Sequence, residues 1–271
     1  MLNDKMKVSI ITVVYNREKT IERAIQSVLN QSYKNIEYII IDGSSTDGTM
    51  EIVNQYKEQI AVIVSEKDKG MYDALNKGIQ LATGELVGLL HADDVFATTD
   101  IIQIIVDQMQ STPYVDAVYG DVGFVKEEQP DKIVRYYSSA IFNPHLFKWG
   151  FMPAHPTFFC YKKYFDLYGM YRIDLDIAAD FDLLVRYLRK YRLNTFYIPQ
   201  MLVKMNMGGK STRGISSTIQ INKEIKQILT EQKMPSSYLR LYARYFLKVQ
   251  EFWKRSTQGK EAQGNTEDRP Q

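Results

Sequence analysis

The runs VSIITVVYN, residues 8–16, and EYIIIDGSSTDGT, residues 37–49, decide the fold class of this chain. Each run contains a nearly continuous apolar stretch rich in Val and Ile, at 8–14 and at 38–41, as a strand buried on both faces requires. Between the two runs, apolar residues at 21–29 recur at the 3.6-residue period of an amphipathic helix. The sequence therefore predicts two parallel strands joined by a helix.

The same alternation continues along the chain. Further strands are predicted at 60–64 and 86–90, with helices from the cap residue Asp47 to about 56, at 71–81 and at 101–109. Later elements are short strands at 117–119, 122–125, 195–198 and 202–207, and helices at 180–191, 218–232 and 236–255. The predicted fold class is α/β, with a mainly parallel, Rossmann-like sheet, helices on both of its faces and a C-terminal helical extension.

Composition and charge exclude several classes of protein. The chain has 271 residues, 45% of them hydrophobic, which excludes fibrous and wholly disordered classes. Lys and Arg number 34 against 32 Asp and Glu, so the net charge of +2 gives no reason to expect a nucleic-acid partner. The one cysteine, Cys160, cannot form an internal disulfide, and no apolar run reaches the about 20 residues of a membrane span. With no signal-peptide core at the N-terminus, we expect a cytoplasmic protein.

Polar residues follow each predicted parallel strand, where ligands bind in open sheets of this kind. Tyr15 and Asn16 follow the first strand, Asp42 the second, residues 66–69 the third and residues 91–94, HADD, the fourth. Two adjacent carboxylates at a strand end repel one another, and Mg²⁺ or Mn²⁺ bridged to a phosphate would relieve that repulsion. The alternative, in which Asp94 caps a helix and Asp93 faces water, stays open at this point.

Other candidate motifs fail. GGKST at 208–212 resembles the end of a phosphate-binding P-loop, but its leading glycine would fall at position 204, which is Lys204. No G-x-G-x-x-G follows the first strand, and the three histidines lack the spacing of a helical zinc site. Cys160 lies among apolar residues and is interpreted as a packing residue.

The chain resembles glycosyltransferase family 2 in the order and spacing of six runs. These are the two opening runs together with QSVLNQSY, SEKDKGMYDALNKG, LLHADDV and IAADFDLLVR. This resemblance covers about residues 6–207 and implies an inverting nucleotide-sugar glycosyltransferase with the GT-A fold. It also implies donor contacts: Asp42 at the uracil and ribose with Tyr15 beside the base, Lys69 or a neighbour in the EKDKG loop at the diphosphate, and Asp73 and Asn76 on the following helix. The alternative for the loop and helix residues is a solvated charged surface.

The resemblance also assigns the chemistry. HADD occupies the place of the family's DXD metal motif, so Asp93 is the expected main ligand of Mg²⁺ or Mn²⁺ and Asp94 a supporting one, although His91 stands at the motif's first position. Asp180 matches the catalytic base of the ED motif but follows Ala179 instead of Glu, and it also suits a helix N-cap. His155, in an aromatic segment expected on the acceptor side, is the second candidate base.

The resemblance divides the chain into parts. Residues 1–207 form the expected GT-A catalytic domain, with a nucleotide-sugar half at 1–115 and an acceptor half at 116–207. A flexible glycine-rich loop and C-terminal helices are expected at 208–255 and a disordered tail at 256–271. In the loop, Lys210 and Arg213 would close on the donor diphosphate, or the segment is an ordinary linker.

The expected partners are a nucleotide-sugar, with UDP favoured, and a saccharide or lipid-linked saccharide acceptor of bacterial surface polysaccharide synthesis. In the helix at 236–255, Leu239 and Tyr242 begin an apolar face and Arg240 and Arg244 a basic one. Such a helix would attach the enzyme to the inner face of the membrane, pack on its own domain or join a homodimer.

Two other functions stay open at this point. A sugar nucleotidyltransferase would be expected to carry glycine directly after the first strand, where YNREKT has none. A non-catalytic sugar-nucleotide-binding domain would be expected to lack Asp93 or Asp180, and both are present.

Overall fold

A mixed sheet organises the computed structural model, which describes residues 6–207 and 215–245. Within those residues the sheet has nine strands in the order β3-β2-β1-β4-β8-β6-β9-β5, with β7 paired to β6. The strands are β1 (Val8–Val14), β2 (Ile36–Asp42), β3 (Val62–Ser65), β4 (Leu86–Leu89), β5 (Val95–Phe96), β6 (Ala117–Val125), β7 (Arg135–Tyr137), β8 (Phe159–Tyr161) and β9 (Thr195–Asn206). Strands β1 to β4 are parallel, as is the β6–β9 pair, while the other pairs are antiparallel.

Helices cover both faces of the sheet. They are α1 (Ile21–Leu29), α2 (Thr49–Gln55), α3 (Met71–Leu81), α4 (Ile101–Ser111), α5 (Lys163–Tyr168), α6 (Ala179–Val185) and α7 (Ile215–Glu231), and a further helix is described over 238–245. Alternate residues of β1 enter opposite cores: Ile10 packs in the core that contains α1 and α4, and Ile11 in the core that contains α3, α6 and α7. The predicted α/β class with a C-terminal helical extension is confirmed.

The bounds of β1 and α3 agree with the prediction, and most other predicted elements are shifted at their ends by up to three residues. Strands β5, β7 and β8 and helix α5 were not predicted, and three later predictions differ in kind. The predicted strands at 195–198 and 202–207 are one strand, β9, because a register shift against β6 absorbs Pro199, which has no amide hydrogen to donate. The predicted strands at 117–119 and 122–125 likewise merge into β6. The predicted helix at 180–191 is α6 followed by a π-helical turn, Arg186–Lys190.

The C-terminal extension shares a hydrophobic core with the sheet domain. Ile225 and Ile228 of α7 are buried in the same cluster as Leu184 of α6. The predicted division of the chain at 115, 207 and 255 stays a prediction, but the described part of the extension is packed on the sheet domain. Among the helices that the structure describes, none is long and apolar enough to cross a membrane.

Candidate active site

Hydrogen bonds join the loops that follow β1 and β2. The Asn16 amide donates to Ser45 Oγ at 2.8 Å, and Asn16 Oδ1 accepts the Thr46 amide at 2.8 Å. The Arg17 amide donates to Thr49 Oγ1 at 2.8 Å. Asn16 has a φ of 50°, a left-handed conformation that Asn tolerates better than most residues. The two strand ends, at residues 16–18 and 42–49, therefore form one cross-linked rim.

The start of α2 differs from the prediction. Asp47, expected as a helix cap, accepts the Thr49 amide, while Gly48 is the residue at the N-cap position of α2.

Asp42 lies beneath this rim. Its carboxylate is fully buried and accepts hydrogen bonds from the Ser45 amide, from Ser45 Oγ and from Ser65 Oγ, the last at 2.6 Å. The nucleotide contact that the resemblance implies for this residue stays a prediction, and the structure shows that Asp42 also holds the loop after β2 against the end of β3. It does so through the hydroxyls of Ser45 and Ser65, which donate to its two carboxylate oxygens.

Tyr15 and Asp68 are the groups that face outward at the same edge. The Tyr15 residue is 57% exposed. Asp68, in the loop after β3, accepts the Gly70 amide on Oδ1 at 2.8 Å. Both side chains approach Gly43. The sequence placed Asp68 among the polar residues that follow the third strand without giving it a role of its own, and it did not single out Gly43, because only the packing of three strand ends brings the two together.

The expected donor contacts on α3 have partners within the protein. Asp73 Oδ2 accepts the Lys69 amide at 3.0 Å and lies 3.6 Å from Lys77 Nζ. Asn76 donates to the Tyr171 carbonyl at 2.8 Å and accepts the Tyr171 amide at 2.9 Å. Asn76 therefore ties α3 to the segment before α6, and of this group the exposed Lys69 is the one that faces solvent.

The two carboxylates after β4 have different surroundings. Asp93 lines a cavity of about 310 Å³, and its carboxylate lies 3.9 Å from Arg17 Nε. Asp94 is buried: its Oδ1 accepts the Asn206 amide at 3.0 Å, while Asp94 Oδ2 and Asn206 Oδ1 have no partner. Burial, together with the neighbouring carboxylate of Asp93, raises the pKa of Asp94 well above its ordinary value.

This donor set fits a cation shared with a substrate better than a protein-only cage. Within the described residues, no group of three or more His, Cys, Asp or Glu side chains could hold a metal ion. Mg²⁺ is commonly bound by one or two carboxylates together with substrate phosphates. Asp93 presents such a carboxylate to the cavity, and the unpartnered Asp94 Oδ2 lies next to it in sequence.

Two histidines and Asp180 form a cluster on the other side of the β4 end. The rings of His91 and His155 lie 5.4 Å apart, and His155 Nδ1 lies 3.5 Å from Asp180 Oδ2. Burial lowers the pKa of both histidines to about 4, and for His91 the neighbouring His155 adds to the effect. Burial raises the pKa of Asp180 to about 6, although the Phe181 amide donates to its Oδ1 at 2.7 Å. At neutral pH the cluster therefore holds neutral imidazoles beside a carboxylate that can accept a proton.

A buried glutamate of α7, which the sequence patterns did not reveal, supports this cluster. Glu224 accepts the backbone amides of Asp176, Ile177 and Ala178 at 3.2, 3.0 and 2.9 Å, in the turn that leads into α6 and Asp180. It is also among the groups that raise the pKa of Asp180. The sequence signal was weak, because Glu224 sits in an amphipathic helix where a charged residue normally faces water.

The C-terminal helix is partly described. Leu241 and Arg244 are buried, and Arg244 donates to the Gly150 carbonyl at 2.6 Å and to Asn222 Oδ1 at 2.9 Å. The expected basic face is therefore partly used to dock the helix on its own domain, because these carbonyl oxygens bind both terminal nitrogens of the guanidinium. Leu239 is 81% exposed and Tyr242 40% exposed. The glycine-rich loop with Lys210 and Arg213, and the chain from 246 onward, lie outside the described residues.

Comparisons of sequence identify relatives of this chain. The Glycosyl transferase family 2 profile matches residues 9–166. A PGL/p-HBAD biosynthesis glycosyltransferase of Mycobacterium bovis (strain BCG / Pasteur 1173P2) is 26% identical over 230 residues, which is 80% of this chain and 81% of the relative. The UDP-Glc:alpha-D-GlcNAc-diphosphoundecaprenol beta-1,3-glucosyltransferase of Escherichia coli is 43% identical over 95 residues, 35% of this chain and 38% of the relative.

Comparisons of structure agree on the fold. S. aureus TarS 1-349 in complex with UDP-GlcNAc superposes with a TM-score of 0.66 at 17% identity, over 83% of this chain and 66% of that one. The present chain thus spans slightly less than two thirds of the TarS structure. A mannosyltransferase of Pyrobaculum calidifontis in complex with GDP-Man and Mn²⁺ gives a TM-score of 0.62 at 21% identity, over 90% of this chain and 70% of that one. These likenesses confirm the predicted GT-A fold class.

Proposed function

Since the chain belongs to glycosyltransferase family 2 and is a glycosyltransferase, we propose that it moves a sugar from a nucleotide-sugar to an acceptor hydroxyl with inversion at the anomeric carbon. The observation that carries this proposal is the cluster of His155 and Asp180 beside the end of β4. A carboxyl group with a pKa of about 6 is ionised at neutral pH yet basic enough to take a hydroxyl proton. Membership of the family favours sugar transfer over nucleotidyl transfer.

The donor is proposed to be a UDP-sugar. Support comes from the S. aureus TarS structure, which is a complex with UDP-GlcNAc, and from the E. coli relative, whose name gives UDP-Glc as its donor. In this chain, the rim of loops after β1, β2 and β3 would bind the nucleotide, with Tyr15 stacking on the base. We propose that Asp42 acts through the shape of that rim and Lys69 as a nearby cation. Asp73 and Asn76 would hold α3 in place beside the donor.

The diphosphate of the donor would lie at the cavity beside Asp93. Asp93 would hold a divalent cation there, with Asp94 supporting it from beneath. When bound, Mg²⁺ or Mn²⁺ would offset the negative charge that develops on the departing diphosphate. The Pyrobaculum mannosyltransferase, whose complex contains Mn²⁺ together with GDP-Man, supports this proposal. Arg17, close to Asp93, would add a positive charge at the same edge.

Inversion follows from the proposed roles of the residues. Asp180 accepts the proton of the acceptor hydroxyl while that oxygen attacks the anomeric carbon on the face opposite the diphosphate. The bond from the anomeric carbon to the phosphate oxygen breaks, and its electron pair leaves with the nucleoside diphosphate. No enzyme nucleophile takes part, so a single displacement inverts the anomeric centre. His155, neutral at physiological pH, would line the acceptor side and orient the Asp180 carboxylate.

The acceptor is proposed to be a lipid-linked saccharide. The E. coli relative is named for a sugar carried on diphosphoundecaprenol, which supports this choice. We propose that the exposed Leu239 and Tyr242 mark a face of the C-terminal helix that meets the membrane surface or a second copy of the chain. Flotation with anionic liposomes tests the membrane contact: protein that stays in the soluble fraction at low salt contradicts it.

For the loop at 208–214, closure over the donor by Lys210 and Arg213 stays a prediction. Slower proteolysis of this loop with UDP and metal bound would support it.

Turnover with defined substrates tests the proposed function. The full chain, Mn²⁺, a panel of UDP-sugars and undecaprenyl-diphosphate-linked sugars should release UDP, and the anomeric configuration of the product is read by NMR. Asp180→Asn serves as the control that binds donor without transferring its sugar. Retention of the donor configuration would contradict the single displacement, and formation of UTP from a UDP-sugar and diphosphate would indicate nucleotidyl transfer.

A further inference from the structure

Cationic side chains gather where the helix over 238–245 meets the 3₁₀ helix Pro144–Trp149. We call the following residues the basic cluster: Lys148, Lys226, Arg240 and Arg244. Ser236 connects the first two, because its Oγ donates to the Lys148 carbonyl at 2.7 Å and its carbonyl accepts from Lys226 Nζ at 2.8 Å. The guanidinium of Arg240 lies 5.8 Å from the centre of the Trp149 ring, and Arg244 donates to the Gly150 carbonyl. These positive charges therefore belong to one region of the molecule.

No carboxylate compensates the charge of the basic cluster within the described residues. None of its side chains forms an ion pair there. Arg244 is 5% exposed, and its Nε has no hydrogen-bond partner. A buried cation without a counter-ion is costly, and its field is poorly screened by the protein interior. The sequence adds to the imbalance, because it contains no Asp or Glu between Asp131 and Asp166. The region therefore favours an anionic ligand.

A ligand can reach two members of the cluster. Arg240 is exposed, and the ammonium group of the half-buried Lys148 has no partner within the described residues. Tyr238 and Leu239, directly before Arg240, are 50% and 81% exposed. The region thus combines accessible positive charge with an apolar surface, which suits an amphiphile with an anionic head and a hydrocarbon tail.

The basic cluster lies close to the proposed base. Phe147, the residue before Lys148, packs edge-on against Phe181, the residue after Asp180, with ring centroids 5.5 Å apart. The proposed acceptor is a lipid-linked saccharide. Where a diphosphate links lipid and sugar, a single sugar separates the phosphates from a hydroxyl under attack. An anion site beside the helix that carries Asp180 is therefore suitably placed for those phosphates.

We propose that the basic cluster binds the diphosphate of an acceptor saccharide carried on a polyprenyl diphosphate. Lys148 and Arg240 contact the phosphate oxygens, and the buried Arg244 adds positive charge from beneath. Tyr238 and Leu239 contact the start of the hydrocarbon tail. This assignment rests on the proposed function and narrows its acceptor from lipid-linked saccharides in general to those linked through a diphosphate.

The fluorescence of Trp149 gives a binding signal that does not depend on turnover. The chain contains two tryptophans, so Trp253→Phe leaves Trp149 as the single reporter. The full chain with this substitution is titrated with farnesyl diphosphate in excess chelator, which prevents a metal-bridged contact of the diphosphate with Asp93. Farnesyl diphosphate should change the fluorescence and bind at least about tenfold more tightly than farnesol, which has the same tail without phosphates.

Substitutions in the same background test the role of the cluster. Lys148→Gln should weaken farnesyl diphosphate binding about tenfold, because a charge-assisted hydrogen bond is lost, and Lys148→Arg should retain wild-type affinity. In transfer assays, Lys148→Gln should raise the KM for a diphosphate-linked acceptor and leave the KM for the nucleotide-sugar unchanged. Lys57→Gln, at an exposed lysine shortly after α2, is the control for loss of one charge. Thermal melting checks that each variant is folded.

The outcomes separate this assignment from the proposed function. Farnesol that binds as tightly as farnesyl diphosphate overturns the assignment, and so does unchanged farnesyl diphosphate affinity in folded Lys148→Gln. Phosphatidylglycerol vesicles test the other source of phosphate: if Lys148→Gln weakens vesicle binding but not farnesyl diphosphate binding, the cluster binds membrane lipid and the assignment is wrong. Selective binding of farnesyl diphosphate through Lys148, in a protein that transfers no sugar, contradicts the proposed function and leaves the diphosphate site supported.

Discussion

The loops after β1 and β2, proposed to bind the nucleotide, and the cluster around Asp180 are built in opposite ways. In the rim formed by residues 16–18 and 42–49, side-chain oxygens accept the backbone amides of the neighbouring loop, as Asn16 and Ser45 do. In the cluster around Asp180, the buried His155 Nε2 has no partner, and at the cavity beside Asp93 neither Asp94 Oδ2 nor Asn206 Oδ1 has one. Buried polar groups are nearly always paired in proteins, so an unpaired one beside a cavity is a candidate contact for a substrate or an ion. The polar groups of the rim are thus paired within the protein, whereas polar atoms beside Asp180 and Asp93 are left for a ligand to bind.

The difference between the two regions predicts how each responds to substitution. Removing a paired group from the rim leaves its partners without hydrogen bonds and costs folding free energy. Removing an acid from the cluster leaves folding nearly unchanged and costs transfer rate, because its interactions with the protein are few. The following substitutions are ordered by their expected effect on transfer.

Asp180→Asn should lower the transfer rate about 100-fold or more, because an amide cannot take the acceptor proton. The melting temperature and the affinity for UDP should stay close to those of the wild type. In wild-type protein the rate should rise as the pH increases through about 6, since Asp180 must lose its proton to act as base. A variant with near-normal turnover would assign the base elsewhere, with His155 the next candidate.

Asp93→Ala should weaken UDP binding about tenfold or more when Mg²⁺ or Mn²⁺ is present, because the carboxylate facing the cavity is lost. Without metal, wild type and variant should bind UDP alike, which gives a readout independent of turnover. Asp131→Asn, at a carboxylate that is 97% exposed, is the control for loss of one charge. Wild-type transfer that is unchanged in excess chelator contradicts the prediction.

Glu224→Gln should lower the transfer rate about tenfold, because the amide nitrogen would face the three backbone amides that the carboxylate now binds. It should also move the acidic limb of the pH–rate profile to lower pH, since removing this charge lowers the pKa of Asp180. The other titratable groups around Asp180 are His91, His155, Tyr72 and Tyr171.

A merely structural role for Glu224 would change the rate without moving the profile. Glu231→Gln is the matched control at the exposed end of the same helix. If both variants retain the wild-type pH profile, α7 does not influence the pKa of Asp180, and that pKa is set by the sheet domain alone.

The sequence predicted the nucleotide half of the fold well and the contents of the site unevenly. Strand β1 and helix α3 have the predicted bounds because their apolar patterns are long and uninterrupted. Asp93 could be singled out because it follows a strand, and Asp180 because it lies at the start of a helix, each within a recognisable motif. Glu224 could not, since its contacts are with a segment about 46 to 48 positions away in the sequence. The burial of Asp42 depends on Ser65, 23 positions away, and no local pattern shows it.

Asp42→Asn should have the smallest effect on transfer and a clear effect on stability. Replacing one carboxylate oxygen by an amide leaves hydrogen bonds from Ser45 and Ser65 unmade, at a cost of about 1 to 3 kcal/mol in the free energy of unfolding. Because the loop itself is loosened, UDP affinity should fall by about threefold, with the rate at saturating donor little changed. Thermal melts and UDP titrations measure both quantities.

Glu37→Gln is the matched substitution at the opposite end of the same strand. Despite burial, which acts to raise it, hydrogen bonds from Lys7, Ser9 and Thr83 lower the pKa of Glu37 from 4.5 to about 2. Its stabilising effect is therefore present above about pH 4.5 and is lost as the pH falls toward 2. We expect Glu37→Gln to lower stability at neutral pH and leave UDP affinity unchanged, whereas Asp42→Asn lowers both. Equal UDP affinity in the two variants would mean that the rim does not shape the nucleotide site, and the contrast between the two regions would not extend to binding.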